Sequence, residues 1–264
     1  MRIITVIPHY VLDRILKIVN LKNLFNSQAT SIEIMNSIVF NRYITCTNYT
    51  MSNYGVWMMN NNNDRTFQLS LMGYRNGLEK IILSLKHPFT FVDIGANQGI
   101  FSLVAAKNKY CNSLHTFEPN LSINKFLEKN FKKNKVKNAT IHKVAIGSRI
   151  GNRGFFVPNN HSGGGRVSST VSNMEISCVN RLYLNKFLTD LDELFVKIDV
   201  EGNEDEVLQE LFNSKLKIKY IFIEICSKYN FNEEYTIKIL NTNGFNEVFR
   251  KENKISYDAL FVKK

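Results

Sequence analysis

The sequence has few cysteines and lacks the spacings that bind zinc or build a disulfide framework. Cys46, Cys111, Cys178 and Cys226 lie far apart, and no Cys-x-x-Cys pair occurs. We therefore expect neither a zinc site nor a set of disulfides. A histidine-rich set of metal ligands is also missing from the sequence, and reduced thiols predict a cytoplasmic protein.

A long uninterrupted apolar run is missing as well. Apolar residues recur at helical spacing between Val11 and Val19, but Asp13, Arg14 and Lys17 interrupt them. We therefore expect no signal-peptide core and no transmembrane segment. An amphipathic helix of this kind packs on the protein's own core or makes peripheral contact with a membrane, and both readings stay open.

The composition is that of a soluble globular protein with an excess of basic residues. Hydrophobic residues make up 44% and charged residues 22% of 264 residues, and the formal net charge is +11. This charge suits a nucleic acid, an anionic membrane, an acidic substrate or simply a lysine-rich surface. No aromatic residues interleave with the main lysine cluster, so a solvated helix face is favoured over a nucleic-acid patch. The cluster contains Lys125, Lys129, Lys132, Lys133, Lys135 and Lys137.

The chain is predicted to have two parts. Residues 1–66 have mixed patterning, with strands expected around Ser37–Thr47 and Gly55–Met59, and the polar run Asn60–Asn63 is the best boundary. We interpret this segment as a helical or mixed cap over the site or a docking element, which also allows a homodimer. Residues 67–264 form the main domain, and a helical pattern over Thr66–Leu85 leads into it.

After residue 88, predicted strands and helices alternate, which predicts parallel strand pairing through right-handed crossovers. Asn243-Gly244 ends the last helix, and the two strands after it lie close together, which indicates an antiparallel hairpin at one edge of the sheet. The predicted strands are Phe89–Ile94, Leu114–Phe117, Ala139–Ala145, Leu194–Asp199, Tyr220–Ile225, Asn246–Arg250 and Tyr257–Val262. The predicted helices are Ile100–Lys107, Ile123–Asn134, Glu204–Phe212 and Glu234–Asn241. The fold class is therefore α/β, with a seven-stranded, mostly parallel sheet.

The most informative stretch is Phe89–Phe101. Apolar and β-branched residues suit a buried strand up to Ile94, and Gly95, Ala96 and Gly99 then form a tight turn into a helix. Small residues allow a close backbone approach to a ligand, and free amides at a helix start favour ligand oxygens. The pattern predicts a nucleotide-binding turn, with an ordinary α/β turn as the alternative.

Two acidic residues at strand ends refine the choice of ligand. Glu118 follows the second strand, where a carboxylate can accept both hydroxyls of a ribose, as in dinucleotide-binding folds. However, the Gly-x-Gly-x-x-Gly pattern is missing, and Asp93 is a poor neighbour for a pyrophosphate. S-adenosylmethionine fits better, because it offers a sulfonium and an ammonium to Asp93, a ribose to Glu118 and a carboxylate to the turn amides.

Four motifs resemble those of the FkbM family of S-adenosylmethionine-dependent methyltransferases. They begin at Phe91 (Phe-Val-Asp-Ile-Gly-Ala-Asn-Gln-Gly), Phe117 (Phe-Glu-Pro-Asn), Val144 (Val-Ala-Ile-Gly) and Lys197 (Lys-Ile-Asp-Val-Glu-Gly). The resemblance runs from about Leu71 to the C-terminus. It implies a Rossmann-like class I methyltransferase fold and O-methylation of sugars, glycan building blocks or natural products.

The sequence departs from the family pattern at two places. Ser148 stands where an acidic residue is usual, and the stretch from Val179 reads Val-Asn-Arg-Leu-Tyr-Leu where the family tends to have Thr-Leu-Asp. The departures concern the adenine side and a connecting loop, so the predicted cofactor is unchanged.

The predicted cofactor site follows the first three strands. Glu118 is assigned to the ribose, while Ala145 and Ile146 line the adenine pocket or belong to ordinary strand-end core. Asp199, discussed next, faces the methyl group. The methionine end is assigned to Asp93, Gly95, Ala96, Asn97 and Gly99, and the adenine-side wall to Pro119 and Asn120.

The predicted chemistry centres on the motif Lys197–Gly202. Lys197, Asp199 and Glu201 share one face of the chain at the carboxyl end of a strand, where open α/β sheets bind ligands. An ion pair between Lys197 and a carboxylate is one explanation. The other is that Asp199 takes or orients the proton of the acceptor hydroxyl, with Lys197 and Glu201 shaping the local field.

Further candidates lie outside this motif. His161 is a second candidate base or an ordinary surface histidine in the loop Pro158–Arg166, whose three glycines allow a lid. Arg166 in the same loop suits an anionic sugar or a phosphate. Glu224 contacts the substrate or pairs with Lys228.

A metal is conceivable if Glu224 approaches Asp199 and Glu201, but the spacing does not require one, and we predict no metal ligands.

Two other functions compete with O-methylation of a small molecule or glycan. An RNA methyltransferase agrees with the charge, but the sequence contains no Asn/Asp-Pro-Pro-aromatic motif, no Pro-Cys nucleophile and no recognisable RNA-binding module. A non-catalytic cofactor-binding assembly protein, docking through residues 1–66, is the third reading, and the intact motifs argue against it.

Overall fold

A computed structural model describes residues 48–189, 191–226, 232–253 and 256–264. The chain divides into two compact units, Met1–Tyr74 and Arg75–Lys264. The predicted apolar stripe and the strand expected around Ser37–Thr47 lie outside the described residues, and the predicted division at residue 66 stays a prediction.

In the first unit, β1 (Tyr49–Met51) pairs antiparallel with β2 (Trp57–Met59). The polar run then leads to α1 (Arg65–Met72), whose N-cap is Asp64: its side chain accepts a hydrogen bond from the Thr66 amide. The helical pattern predicted over Thr66–Leu85 is therefore wrong in one respect, because α1 ends at Met72, with Gly73 as its C-cap.

The second unit carries the main sheet and its helices. Gly77, with φ of +86°, precedes its first helix, so the chain resumes helical structure after a break. The strands are β3 (Phe89–Ile94), β4 (Cys111–Phe117), β5 (Ala139–His142), β6 (Ala145–Ile146), β7 (Gly151–Phe156), β8 (Arg166–Val167), β9 (Met174–Val179), β10 (Leu194–Ile198), β11 (Ile218–Cys226), β12 (Phe245–Glu252) and β13 (Ser256–Lys263). The helices are α2 (Leu78–Ser84), α3 (Ile100–Ala105), α4 (Leu121–Lys133), α5 (Arg181–Leu188), α6 (Glu204–Phe212) and α7 (Glu233–Thr242).

The main sheet has the strand order β12-β13-β11-β10-β3-β4-β5. Neighbours from β11 to β5 pair in parallel, whereas β13 pairs antiparallel with both β11 and β12. Every residue of β3 and β10 is buried, as expected of central parallel strands that are covered on both faces. The predicted α/β class, the mostly parallel seven-stranded sheet and its terminal hairpin are confirmed.

A second, four-stranded sheet was not predicted. Its order is β6-β9-β7-β8, and β6 begins three residues after β5 ends at His142, so the strand predicted over Ala139–Ala145 is two strands in two sheets. The first three residues of β7 are Gly, Asn and Arg, and its first four residues are not buried. The sequence of this strand therefore lacks the apolar pattern by which strands are predicted.

Both departures from the family pattern have structural roles. Ser148 donates its amide and hydroxyl to the same oxygen of Glu206 on α6, at 3.0 and 2.6 Å. Arg153 of β7 holds the other oxygen at 2.8 Å. Asn180 is the N-cap of α5, an unpredicted helix, and accepts from the Leu182 amide.

The surface of α4 agrees with a solvated helix face. Its apolar side, with Ile123, Leu127 and Phe131, is buried, and the six clustered lysines are all exposed. Within the described ranges, none of the helices has the length and apolarity that crossing a membrane requires. Cys111 and Cys178 are buried thiols, Cys226 is half-buried, and Cys46 lies outside the described residues.

Candidate functional site

The turn after β3 and the segment after β10 meet through their backbones. The Asp199 amide donates to the carbonyl oxygen of Ile94 at 3.1 Å. Gly95 has φ of +75°, and a Cβ at this position would overlap the carbonyl oxygen of Asp199. Only glycine combines this backbone conformation with so close an approach. The predicted cofactor turn and the predicted catalytic motif therefore form one site.

Lys197 ties the two strand ends together. Its Nζ donates to the Gly95 carbonyl oxygen at 2.7 Å and lies 3.3 Å from Asp93 Oδ1 and 3.4 Å from Asp199 Oδ2. The lysine and Asp93 side chains are 5% and 1% exposed, whereas that of Asp199 is 35% exposed. Two carboxylates thus balance the charge of the buried lysine ammonium, and of the two only Asp199 is accessible to solvent to a substantial degree.

Asp93 acts within the protein in this structure. Its Oδ2 accepts from the Ser102 hydroxyl at 2.7 Å. Its Oδ1 accepts no hydrogen bond within the described part of the chain, and the Lys197 ammonium at 3.3 Å balances its charge. Its carboxylate therefore links the end of β3 to Ser102 of α3 and to Lys197 of β10. The predicted contact of Asp93 with the cofactor stays a prediction.

Glu118 is buried and held by amides from both sides. Its Oε2 accepts from the Asn97 amide and its Oε1 from the Asn120 amide, each at 2.8 Å. Burial raises the pKa of Glu118 to about 7, against the lowering effect of these two hydrogen bonds. Asn97 adopts φ of +51° and Asn120 caps α4, so the carboxylate joins the cofactor turn to the start of that helix.

The two residues proposed for the adenine pocket differ in their surroundings. Ala145 and Ile146 form β6, which pairs in parallel with β9. Ile146 is buried in the apolar core cluster, whereas Ala145 is half-buried. Ile146 packs in the core and Ala145 is partly exposed, and the adenine role of both residues stays a prediction.

Three carboxylates converge at the carboxyl ends of β10 and β11. One oxygen each from Asp199, Glu201 and Glu224 lies within 4.8 Å of the others. Burial and the charges of Asp199, Asp258 and Glu201 raise the pKa of Glu224 to about 9. This group can accept hydrogen bonds from hydroxyls, share a proton, or serve as the oxygen ligands of a hard divalent cation. The predicted alternative partner of Glu224, Lys228, lies outside the described residues.

Asp258 joins this group and was not predicted. It lies opposite Glu224 on β13 and accepts from the side-chain amides of Asn76 and Asn253 at 3.2 and 3.1 Å. Burial raises its pKa to about 6, with a further contribution from Asp199. In the sequence β13 reads as an ordinary apolar strand, so only an acidic residue inside an apolar run could have signalled this position.

Glu204 is a second unpredicted residue. It begins α6, is buried, and accepts from the Val200 amide at 3.3 Å and from the Gly202 amide at 3.0 Å. Burial raises its pKa to about 7. It thereby fixes the loop in which Glu201 adopts φ of +56°. The sequence signal is an acidic residue in the first turn of a helix that follows a strand-end motif.

The glycine-rich loop connects β7 to β8 and reaches the cofactor turn. Ser162 starts a 3-10 turn and contacts Asn97, and the neighbouring His161 is half-buried. The Arg166 guanidinium lies 4.7 Å from the centre of the Phe156 ring. The catalytic role predicted for His161 and the anion-binding role predicted for Arg166 stay predictions.

The chain matches a known family over much of its length. The family model described as the methyltransferase FkbM domain matches residues 93–248, more than half of the chain. It covers the cofactor turn, Glu118, the lysine motif and Glu224. No curated protein matches the sequence.

Several solved structures are similar to the chain in structure, at low sequence identity. TYW2 of M. jannaschii in complex with AdoMet is 16% identical, with 83% of this chain and 88% of that chain covered and a TM-score of 0.45. TrmK of M. capricolum, in complex with S-adenosylhomocysteine, is 13% identical, with coverage of 73% and 69% and a TM-score of 0.44. The putative transferase PH0793 of Pyrococcus horikoshii is 13% identical, with coverage of 82% and 71% and a TM-score of 0.48.

Proposed function

We propose that this chain, which belongs to the FkbM methyltransferase family, methylates a hydroxyl oxygen of a small molecule or carbohydrate. The methyl donor of the family is S-adenosylmethionine. The observation that carries the proposal is the position of Asp199. Its carbonyl oxygen packs on Gly95 of the cofactor turn. Its carboxylate is the more exposed of the two that pair with the buried Lys197. A proton acceptor therefore lies directly beside the cofactor turn.

Asp199 and Lys197 have different roles in the proposed methyl transfer. Bound S-adenosylmethionine supplies an electrophilic methyl group on a sulfonium. Asp199 accepts the proton of the acceptor hydroxyl, or orients it, as the carbon–oxygen bond forms and the carbon–sulfur bond breaks, which would leave S-adenosylhomocysteine as the second product. Lys197 holds Asp199 at 3.4 Å and so fixes the direction of its carboxylate. Much of the acceleration is expected from alignment of the acceptor.

The neighbouring carboxylates suit an acceptor with several hydroxyls. Glu201 and Glu224 lie within reach of Asp199, and each can pair with a further hydroxyl of a polyol or sugar. The raised pKa of Glu224 makes it a carboxylic acid at neutral pH, which both donates and accepts hydrogen bonds. A cytoplasmic location, peripheral membrane contact and a homodimer remain predictions from the sequence.

The test is Asp199→Asn, which keeps the side-chain shape and removes the charge. We expect turnover to fall at least about 100-fold, the usual contribution of a positioned acid or base, while affinity for S-adenosylhomocysteine changes little. Turnover is measured as S-adenosylhomocysteine release with a panel of sugar nucleotides and glycans, and affinity by calorimetry.

Asp192→Asn is the matched control for this test, because Asp192 is exposed and its side chain accepts a hydrogen bond from the Asn112 side-chain amide at 2.6 Å, away from the three converging carboxylates. Unchanged turnover in Asp199→Asn would remove Asp199 from the mechanism. Strong, salt-sensitive RNA binding by the wild type would favour the RNA methyltransferase instead.

A further inference from the structure

The β7–β8 hairpin places a serine on the cofactor turn. Ser162 Oγ lies 3.0 Å from Asn97 Nδ2 and 3.1 Å from Asn97 Oδ1. A hydroxyl donates one hydrogen bond and accepts others, so both contacts form at once, with Oγ accepting from the amide nitrogen and donating to the amide oxygen. The two residues are 65 positions apart in the chain, so this contact exists only in the folded protein.

The hairpin tip is built to hold this serine in place. Phe155 pairs with Val167 and Phe156 with Arg166 at its base. Above them, the Gly165 amide donates to the Ser162 carbonyl oxygen at 3.2 Å. A Cβ at Gly165 would lie 2.8 Å from the ring of Phe155, so the tip packs closely on its own strand. Gly165 therefore gives the tip a defined packing, and Ser162 of the same tip contacts Asn97.

The contact continues into the predicted ribose site. Asn97 uses its side chain for Ser162 and its backbone amide for Glu118 Oε2 at 2.8 Å. Glu118 in turn accepts from the Asn120 amide at the start of α4. A single chain of hydrogen bonds thus runs from the hairpin tip through the cofactor turn to the carboxylate assigned to the ribose.

Asn97 is well suited to transmit this restraint. Its φ of +51° is uncommon for a residue with a side chain, and its Oδ1 also accepts from the Gln98 amide at 2.9 Å. Fixing the side chain from outside therefore helps to fix the backbone amide that meets Glu118. A loop that only filled space on the surface would need no paired hydrogen bonds to the cofactor turn.

We propose that Ser162 is a positioning residue of the cofactor site, which clamps Asn97 and keeps the hairpin closed over the turn where S-adenosylmethionine binds. The clamp restrains the ligand after it has entered, so its main effect is on the rate of dissociation. The proposal rests on the family's cofactor and does not depend on which acceptor is methylated.

The experiment compares the release of S-adenosylhomocysteine from the full-length wild type and three variants by surface plasmon resonance. Ser162→Ala removes the clamp, and dissociation is expected to be about tenfold faster, as for the loss of two ordinary hydrogen bonds, with association within twofold. Ser162→Thr keeps the hydroxyl and should restore most of the slow release. Ser169→Ala, an exposed serine of the same segment, should behave as the wild type.

A double-mutant cycle tests whether Ser162 acts through Asn97. Asn97→Gly removes the side chain without strain at positive φ. If the clamp exists, adding Ser162→Ala to Asn97→Gly changes the dissociation rate by less than twofold. Equal release from wild type and Ser162→Ala, or fully additive effects, would overturn the proposal.

Two further measurements distinguish an effect on folding from an effect on cofactor binding. The melting temperature of each ligand-free variant shows whether Ser162→Ala destabilises the fold. If it does, slow release of S-adenosylhomocysteine from Ser162→Thr, which keeps the hydroxyl, still supports the clamp. A wild type that binds no S-adenosylhomocysteine would refute the clamp together with the cofactor site. A wild type that binds it but methylates no tested hydroxyl would count against the proposed function alone.

Discussion

Lys197 is the residue on which the geometry of the site depends most. A buried ammonium is costly unless charges and hydrogen bonds compensate it, and here two carboxylates and the Gly95 carbonyl oxygen do so. The sequence placed Asp199 on the same face as Lys197. It could not show that Asp93, on a different strand, is the more buried partner, because β3 and β10 become neighbours only in the sheet.

Glu118 leads to a prediction about pH. Its folded-state pKa of about 7 means that the ligand-free protein holds it partly protonated at neutral pH, whereas a ribose diol is best held by the ionised form. We expect affinity for S-adenosylhomocysteine, measured by calorimetry, to rise as the pH increases from 6 to 8. The Glu118→Gln variant should bind weakly and without this rise, and Glu118→Ala should lose binding.

A different result would reassign Glu118. If the variant and the wild type bind with equal affinity at every pH, the carboxylate serves only to hold the amides of Asn97 and Asn120.

At the scale of elements, two loops make the site by touching at Gly95. The turn after β3 and the segment after β10 leave no space for a side chain there. Replacing Gly95 with alanine should therefore force the two loops apart. We expect unfolding free energy to fall by more than about 3 kcal/mol, beyond the usual cost of positive φ alone, with loss of cofactor binding.

Gly244→Ala is the matched control for Gly95→Ala. Gly244 has φ of +82°, close to the +75° of Gly95, but a Cβ there would meet none of the described residues within 4 Å. Urea unfolding of this variant should show a loss of about 1–2 kcal/mol from backbone strain. Equal losses in the two variants would show that the close approach of the loops has no separate energetic importance.

Elements with strong local signals were predictable, and those without them were not. The central strands β3 and β10 are mostly apolar, and α6 was predicted with its observed bounds because acidic residues mark its first turn. The second sheet was missed because β7 carries glycine and polar residues, and β6 and β8 contain only two residues each. Short strands of this kind are stabilised by their neighbours rather than by their own sequence.

At the scale of the whole molecule, a buried histidine pair joins the sheet to α5. His115 Nδ1 lies 3.0 Å from His142 Nε2, and His142 Nδ1 lies 3.1 Å from the Tyr183 hydroxyl. Phe117 stacks on His142 with ring centres 4.3 Å apart. Burial, with a smaller effect of the His115 charge, lowers the pKa of His142 to about 4. The pair is therefore neutral at physiological pH.

This pair predicts a loss of stability in acid. In the unfolded chain His142 takes up a proton near its ordinary pKa of 6.5, whereas the folded protein resists protonation until about pH 4. The stabilisation is present above pH 6.5 and is lost as the pH falls toward 4. Between pH 7 and 4.5 we expect the wild type to lose up to about 2 kcal/mol more than His142→Phe, which keeps an aromatic ring.

Urea unfolding at both pH values measures this difference. Buried carboxyls with raised pKa values, such as Glu204 and Glu224, act in the opposite direction in both proteins, so their effect cancels in the comparison. Equal losses in wild type and variant would show that His142 does not resist protonation in the folded state.

The sequence alone determined the α/β class, the mostly parallel sheet with its terminal hairpin, and the family, because each rests on residues that are adjacent or regularly spaced. A buried strand reads as an apolar run, and a tight turn requires small residues at fixed positions. Only the tertiary structure decided that Lys197 meets Asp93, that Asp258 joins Glu224, and that Ser162 reaches Asn97. These pairs are far apart in the chain, and their proximity follows from which strands and loops pack side by side, a property that local patterning does not encode.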